Sequence, residues 1–354
     1  MALNKQNVVA WHNRSTPEHK ELVDKWAAKG FRTLSLSLYG TPGDPRFAAV
    51  MVKRPVVIAT KQFGPLNQAG IQAKFDEMVS DGWGPFILTA TGPRNSAVFA
   101  GVFTPMKLIP KTRLNLSATQ FAEECGKQQA VGSILWWVDA FGSANDPRYT
   151  AIWGANPSRQ AWNCDAIDEG GADLQARFEA LKDTWCRPAL ISVTPAGRCA
   201  ELFVDSAIGP WSSRVGMTSA QYQAEYDKHT KAGLQPIHVS ASGSGAGARF
   251  AAIFASREEA DERVFRAKGP VTVGEIDSAM DAYMRDSNLR GTALAIVQGT
   301  RLIYAKGYTF AEPAPTYPDV LPRHCFVKRA FQRRSRWSRR SAPNRRRQRK
   351  KRNG

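Results

Sequence analysis

Arg46-Phe-Ala-Ala-Val50 is followed by four similar segments along the chain, and this recurrence decides the fold. The intervals are 50, 52, 50 and 51 residues, and the later copies are Ser96-Ala-Val-Phe-Ala100, Arg148-Tyr-Thr-Ala-Ile152, Arg198-Cys-Ala-Glu-Leu202 and Arg249-Phe-Ala-Ala-Ile253. Self-similarity at a fixed period is typical of repeat proteins, whose units cannot bury their apolar faces alone and therefore pack together. The sequence predicts an α+β fold with five repeats of about 51 residues within residues 1–265.

Each repeat is predicted to contain a helix, a strand and a second strand that returns as a hairpin. Period-two alternation marks the first of these strands, most clearly in Leu34–Leu38 and Ile237–Ala241. The helices are predicted over 17–29, 71–80, 118–129, 172–184 and 219–232. Capping boxes are predicted where a hydroxyl precedes a glutamine by three residues, and C-caps where a glycine follows the helix. The residues concerned are Ser117 with Gln120, Thr218 with Gln221, Gly30, Gly82 and Gly233.

Positive charge is concentrated at the C-terminus. The chain has 354 residues with 49 Lys and Arg against 31 Asp and Glu, but residues 323–354 hold 15 of the basic residues and no acidic one. Residues 1–322 therefore carry a net charge of only +3. With 43% hydrophobic residues this part can fill globular cores. The remaining 32 residues are predicted to be a basic, disordered tail because like charges repel.

Targeting signals are weak. No apolar run approaches the roughly 20 residues that a membrane helix needs, so no membrane association is predicted. The first residues lack the apolar core of a secretory signal peptide. Asn13-Arg-Ser15 and Asn115-Leu-Ser117 match the N-glycosylation triplet, which would suit a secreted protein but also arises by chance.

Cysteine and histidine spacing does not predict a metal site or a cofactor. The cysteines of residues 1–322 have neither Cys-x-x-Cys spacing nor interleaved histidines. They are Cys125, Cys164, Cys186 and Cys199. Two disulfides and buried thiols of an intracellular protein are both compatible with them. His238 alternates with Ile237 and Val239 and is predicted to face solvent.

Other conspicuous residues have structural as well as functional interpretations. The arginine of the repeated segment can be a binding ladder or an ion-pairing position, and the structural role is favoured because a position repeated in every unit normally serves the unit. The tryptophans of the third repeat can line a ligand or be buried, and burial is the more frequent outcome; they are Trp136, Trp137, Trp153 and Trp162. Gly243–Gly247 lacks the Lys-Ser/Thr of a phosphate loop and is predicted to be a hairpin turn.

A different pattern begins after Gly269. Thr272-Val-Gly-Glu275 predicts a capping box, and one apolar face of the helix is predicted from Ile276, Met280, Tyr283 and Met284. Ala293–Val297 and Arg301–Tyr308 predict a hairpin through Gly299-Thr300.

This hairpin carries a resemblance to a known family. The stretch from Ile276 to Pro322 resembles the opening of serine hydrolases related to β-lactamases and penicillin-binding proteins, in which a helix leads to a hairpin that here reads GTALAIVQGTRLIYAKGY. Together with the repeats, residues 1–322 resemble the polyglycine hydrolases, secreted fungal endopeptidases that join such repeats to a β-lactamase-like catalytic domain. The resemblance implies that residues 270–322 are the N-terminal fragment of that domain. It also implies an extracellular location and a protein or peptide substrate with glycine-rich linkers.

The catalytic motifs of that family are missing from this chain. The family uses a Ser-x-x-Lys turn and a Tyr-x-Asn tyrosine for nucleophilic attack and proton transfer. No serine here is followed three places later by lysine, and Tyr-x-Asn, Lys-Thr-Gly and His-x-Gly triplets do not occur. No catalytic residue is therefore predicted, and we expect the chain to be inactive toward peptides.

The basic tail replaces the segment in which those motifs would fall. Under one permissible choice of codons, translating the segment after Pro322 two bases out of frame gives STLLCQASVSKT, which contains Ser-x-x-Lys at the family's position. We interpret the tail as the product of a frameshift, a missed intron or a degraded gene.

Three functions are compatible with the sequence. The first is an enzyme remnant, and the alternative is a non-catalytic protein-binding repeat module. The third is binding of nucleic acid by the tail, whose cationic groups could neutralise phosphates. The tail lacks a helical period and any recognition motif, so no specific nucleic-acid partner is predicted.

Overall fold

The computed structural model describes residues 2–56, 58–167, 176, 178–179, 186–287, 289–313 and 318–322. These residues separate into two compact units, one spanning 2–263 with 312–313 and the other spanning Val264–Ala311 with 318–322. Within the described ranges no helix is long and apolar enough to cross a membrane. The predicted tail over 323–354 and most of the predicted helix over 172–184 lie outside the described residues.

The described part of the first unit contains five three-stranded antiparallel sheets with one common strand order. In each sheet the strand that is third in sequence lies between the first and the second. The strands are β1 (Val8–Arg14), β2 (Phe31–Thr41), β3 (Asp44–Lys53), β4 (Lys61–Asn67), β5 (Trp83–Thr91), β6 (Val98–Pro105), β7 (Lys111–Leu116), β8 (Ser133–Ser143), β9 (Asp146–Ala155), β10 (Trp162–Ile167), β11 (Cys186–Val193), β12 (Cys199–Asp205), β13 (Trp211–Met217), β14 (Gln235–Ser242) and β15 (Arg249–Ala255).

In the described residues of this unit, four helices with assigned bounds follow the first strands of their sheets. They are α1 (Thr16–Ala27), α2 (Gln68–Ser80), α3 (Ala118–Ala130) and α4 (Ser219–Lys231). The capping boxes predicted at Ser117 and Thr218 are present. The glycines predicted to end three helices have left-handed backbones, with φ of +82° at Gly30, +79° at Gly82 and +87° at Gly233. Helix position was therefore readable from capping chemistry.

The predicted order of elements was incomplete, because each described sheet also contains a strand before the helix. In four sheets this first strand has a register shift around one left-handed residue, so its alternation of polar and apolar residues is interrupted. The left-handed residues are Asn13, Gly64, Asn115 and Gly216, with φ of 55°, 114°, 58° and 69°. Asparagine tolerates this conformation better than most residues. The left-handed backbone at Asn13 and Asn115 is therefore a structural reason for the asparagine of both glycosylation triplets.

The middle and second strands are buried on both faces. Every residue of β14 is buried, as are Phe250 to Ala255 of β15. In the four sheets whose helices the structure describes, one face packs on the helix, and the other packs on neighbouring sheets. Two apolar clusters result, one centred on the second and third sheets and the other joining the first, fourth and fifth.

The two ends of the first unit meet. The Leu3 amide donates to the Ser256 carbonyl at 2.9 Å, and Ala2 forms an isolated antiparallel bridge with Arg257. The start of the chain therefore lies beside the end of the fifth sheet.

The second unit is one more three-stranded sheet with a helix. It consists of β16 (Val264–Lys268), α5 (Gly274–Asp286), β17 (Gly291–Gln298) and β18 (Arg301–Ala311), with β18 in the middle. The predicted hairpin is present, whereas β16 was not predicted. The predicted capping box is wrong: Val273 is the N-cap, and the Thr272 hydroxyl accepts from Lys306 Nζ at 3.4 Å instead.

The predicted apolar face of α5 is also partly wrong. Met284 is buried, but Tyr283 is 53% exposed. Ile276 and Met280 are half-buried. The helix therefore packs through a narrower stripe than the sequence pattern indicated.

Candidate functional site

Five polar side chains, one on the second strand of each sheet in the first unit, link the sheets in a closed ring. The amide that follows each of these residues donates to the corresponding side chain of the next sheet. The bonds run from Leu38 to Thr89 (2.8 Å), Ala90 to Asp139 (2.7 Å), Ala140 to Ser192 (2.7 Å), Val193 to Ser240 (3.1 Å) and Ala241 to Ser37 (2.9 Å). The last bond returns from the fifth sheet to the first. We call Ser37, Thr89, Asp139, Ser192 and Ser240 the polar ring.

The polar ring is sealed from solvent. None of its five side chains is more than 4% exposed. A buried amide without a partner costs about 1–3 kcal/mol, so each side chain stabilises the junction between two sheets by satisfying such a donor. These residues hold the sheets together and present no surface to a ligand.

Asp139 is the one carboxyl of the polar ring. Its Oδ2 accepts from the Ala90 amide and from Thr89 Oγ1 at 2.9 Å, and its Oδ1 accepts from Ser192 Oγ at 3.1 Å. Burial raises the pKa of Asp139 to about 7, although these three donors oppose the rise. Near neutral pH the carboxyl therefore titrates inside the protein.

His238 lies next to the polar ring, and its predicted exposure was wrong. The ring is 2% exposed, and its Nε2 donates to the Ile191 carbonyl at 2.8 Å while Nδ1 accepts from Ser35 Oγ at 3.2 Å. Burial lowers the pKa of His238 to about 4, so the imidazole is neutral at pH 7. The prediction failed because alternation identifies an exposed face only when one face of a strand is covered, and β14 is covered on both.

The repeated arginines stabilise their own hairpins. Arg46 Nη2 lies 2.9 Å from Asp44 Oδ1, and Arg148 Nη2 lies 2.7 Å from Asp146 Oδ1. Arg249 instead donates to the carbonyl oxygens of residues 246 and 248 at 3.0 and 2.9 Å. All three lie on the middle strands of their sheets, which agrees with a structural role for the repeated position.

The four tryptophans that the sequence assigned to the third repeat are part of the packing, and Trp162 lies in β10 of the fourth sheet. Trp137 and Trp153 are 4% and 1% exposed. Trp136 Nε1 donates to the Ala155 carbonyl at 3.2 Å, and Trp162 Nε1 donates to the Ser133 carbonyl at 2.9 Å. Gly243–Gly247 forms the connection between β14 and β15, with a short 3₁₀ turn over Gly245–Gly247. These features support the structural interpretations of both sequence patterns.

A polar cleft of about 420 Å³ lies between the second and third sheets. Its lining combines amide side chains with one guanidinium group, and it consists of Asn67, Gln68, Arg94, Asn95, Ser96, Ala97 and Asn115. Asn115 Nδ2 donates to Gln68 Oε1 at 3.0 Å, and Asn67 Oδ1 accepts from the Gly70 amide at 2.8 Å. Arg94, Asn95 and Ser96 are exposed. We call this set the amide cleft.

In the second unit, a cluster of titratable groups joins α5 to β18. Lys306 Nζ donates to Asp277 Oδ2 at 2.7 Å, and Tyr308 Oη donates to Asp277 Oδ1 at 2.9 Å. The hydroxyls of Tyr304 and Tyr308 are 2.6 Å apart. Burial opposes ionisation of Asp277, but hydrogen bonds from Lys306 and Tyr308 lower its pKa below the usual value. Burial, followed by the hydrogen bonds with Tyr304 and Asp277, raises the pKa of Tyr308.

This tyrosine, lysine and aspartate cluster is closed to substrates. Tyr304, Lys306 and Tyr308 are 5%, 2% and 0% exposed. Their polar atoms bond to one another, so the arrangement suits a clamp between helix and sheet. In the described ranges no group of three or more His, Cys, Asp or Glu could hold a metal ion. The predicted absence of catalytic residues stays a prediction.

The fold defines a repeat protein built from tandem β-sheet units. The family model described as "Polyglycine hydrolase-like, structural repeat" matches residues 5–54, 66–106, 110–156 and 208–257. These matches cover more than half of the sequence, and the chain therefore belongs to this family. The predicted resemblance is confirmed at the level of the structural repeat.

Sequence reasoning missed the polar ring although a signal was present. In each repeat the second strand has a polar residue at about the same distance before the turn to the middle strand. Aligning the repeats on these strands would have placed Asp139 in register with the four hydroxyl residues of the other repeats. The amide cleft had no comparable signal, because it depends on which loops meet.

Proposed function

We propose that this chain is a non-catalytic member of the polyglycine hydrolase-like family, and that residues 1–263 form a ring of five repeats that binds proteins or peptides. The bond from the Ala241 amide to Ser37 Oγ carries the proposal, because it joins the last sheet to the first. The fourth sheet is included although the family model does not match it, since it has the common strand order and supplies Ser192 to the polar ring.

The amide cleft is the proposed binding surface. Asparagine and glutamine side chains each offer donors and an acceptor, which complement the main-chain groups of an extended peptide. A glycine-rich peptide exposes little besides its main chain, so such a cleft suits it better than an apolar pocket would. This choice of ligand also follows the peptide substrates that the family resemblance implies.

Calorimetric titration tests this binding. We expect the full chain to bind a glycine-rich peptide, and the double substitution Arg94→Ala with Asn95→Ala to weaken binding about tenfold through loss of two or more hydrogen bonds. Both residues are exposed, so the variant should fold normally. Lys20→Ala, on the exposed surface of α1, is the matched control. Binding that is absent, or equally strong in both variants, would disprove the role of the amide cleft.

For the second unit we propose a relation to the opening of a β-lactamase-like serine hydrolase domain. Its helix and hairpin have the order implied by the resemblance. Strand β17 lies at an edge of its sheet, and several apolar side chains of the hairpin are exposed: Val297 58%, Leu302 57% and Ile303 47%. A sheet continued by further strands in related enzymes would account for both features.

Lack of catalysis is tested separately from binding. We expect the purified chain neither to cleave a glycine-rich peptide nor to react covalently with a serine-directed phosphonate probe, because no activated nucleophile is predicted. A chain in which the alternative reading frame replaces residues 323–354 and continues to the family's usual length should do both. Peptide turnover with labelling of a serine in the present chain would refute the proposal.

A further inference from the structure

We propose that Cys125 and Cys164 form a disulfide that connects α3 to β10 and so links the third sheet to the fourth. The two Sγ atoms lie 2.7 Å apart in the apolar core. A disulfide bond is about 2.05 Å long, so the sulfur atoms need to move by less than about 1 Å. This inference does not depend on the proposed binding function.

The surrounding contacts hold the two cysteines in position. Gln129 Nε2, one turn of α3 beyond Cys125, donates to the Trp162 carbonyl at 3.1 Å. Trp162 Nε1 in turn donates to the Ser133 carbonyl at 2.9 Å, and Cys164 lies opposite Leu202 in the fourth sheet. Helix and strand are thus already joined by a hydrogen bond next to the proposed disulfide.

The cysteines of β11 and β12 do not suit a bond with each other. Cys186 lies opposite Asp205 at one end of the hairpin, and Cys199 lies opposite Val193 at the other. Seven residues of strand separate these ends by about 23 Å, whereas the Cα atoms of a disulfide lie within about 7 Å. The sequence is compatible with two disulfides among these four cysteines. A bond between Cys186 and Cys199 therefore cannot be the second of them.

Formation of the bond needs an oxidant, and we assign this role to a dithiol–disulfide exchange protein or a small organic disulfide. One cysteine thiolate attacks the oxidant's disulfide and forms a mixed disulfide while the first oxidant thiolate leaves. The second cysteine thiolate then attacks the protein sulfur of that mixed disulfide and releases the other oxidant thiolate. Two cysteine protons are lost, and the oxidant gains two electrons and becomes a dithiol.

Peptide mapping tests the pairing directly. The full chain is produced in an oxidising compartment such as the bacterial periplasm, alkylated without reduction and digested. We expect a linked peptide pair containing Cys125 and Cys164 that is two hydrogen atoms lighter than the sum of its reduced parts. Alkylation of both cysteines in unreduced protein, or a linkage of either one to another cysteine, would overturn the proposal.

Thermal unfolding supplies a second readout. A reducing agent should lower the Tm of the wild-type protein by about 5–10 °C, because the bond closes a long loop in the unfolded chain. The same agent should leave the Tm of the Cys125→Ser variant unchanged, whatever that variant's own stability. An equal shift in both proteins would contradict the assignment even if the mapping experiment failed for technical reasons.

Discussion

Asp139 differs from the other members of the polar ring because it can change its charge. Its position requires an acceptor for the Ala90 amide, and hydroxyls serve that purpose at the four other junctions. A carboxylate accepts more strongly than a hydroxyl but loses hydration when it is buried. The balance raises the pKa of Asp139 to about 7, and the junction between the second and third sheets therefore depends on pH.

The pH dependence of unfolding should therefore report on Asp139. Its folded pKa of about 7 lies above the unfolded value of about 3.9, so folded protein retains a proton that unfolded protein loses. The contribution of Asp139 to the free energy of unfolding should fall as the pH rises from about 4 to about 7. Between pH 5 and pH 8 we expect a decrease about 2–3 kcal/mol larger than in Asp139→Asn, measured by urea denaturation.

His238 has a folded pKa of about 4, below the unfolded value of about 6.5, so it makes the free energy of unfolding rise with pH over part of the same range. Both proteins contain His238, so this contribution cancels in the comparison. The asparagine introduced by Asp139→Asn carries an amide in place of the acid, so it retains an acceptor for the Ala90 amide. Equal pH dependence in wild type and Asp139→Asn would show that Asp139 does not titrate as described.

Ser37 tests whether the bond that closes the ring contributes to stability. Ser37→Ala leaves the buried Ala241 amide without its partner at this junction, and we expect a loss of about 1–3 kcal/mol in the free energy of unfolding. Ser80→Ala, which removes an exposed hydroxyl at the end of α2, should change it by less than about 0.5 kcal/mol. Similar effects of the two substitutions would contradict the role of Ser37.

At the scale of elements, the sequence specified helices and hairpins better than first strands. Ser117 and Thr218 begin helices through local capping bonds, and alternation in Leu34–Leu38 reflects an element whose two faces differ. First strands such as Lys111–Leu116 contain a left-handed residue that breaks the alternation. The amide cleft was unpredictable for another reason: its lining comes from segments that meet only after the sheets have packed.

In the second unit, Asp277 attaches α5 to β18, and its substitution should lower the stability of that unit. Asp277→Asn leaves the Lys306 ammonium, 2% exposed, without its carboxylate, and we expect a loss of about 3–5 kcal/mol in the stability of this unit. Asp281→Asn, which breaks only the exposed pair with Arg285 on the same helix, should cost less than about 0.5 kcal/mol. Amide exchange of β18 would measure both effects, and equal protection in the two variants would rule out the clamp.

For the whole molecule, ring closure changes how stability is shared among the sheets. In an open repeat array the terminal units have one neighbour, so they fray and can often be removed. Here the fifth sheet bonds to the fourth and to the first, and each sheet of the ring has two neighbours. Stability is therefore expected to be a property of the complete ring.

Calorimetry of the ring should accordingly show one cooperative transition for residues 1–263, with equal calorimetric and van't Hoff enthalpies. Deletion of residues 208–257 removes two junctions at once, and we expect the Tm to fall by more than about 10 °C or the transition to disappear. Sequential melting of separate repeats, or a deletion variant with unchanged Tm, would show that the sheets are energetically independent.

The contact between Leu3 and Ser256 brings the two ends of the ring together, which makes the ring suitable for insertion into other proteins. A domain whose first and last residues lie side by side can be inserted into a surface loop of a host protein without separating the two ends of that loop. The ring would be joined to its host by two adjacent chain segments. Recombination could then insert or remove the ring without changing the fold of the host.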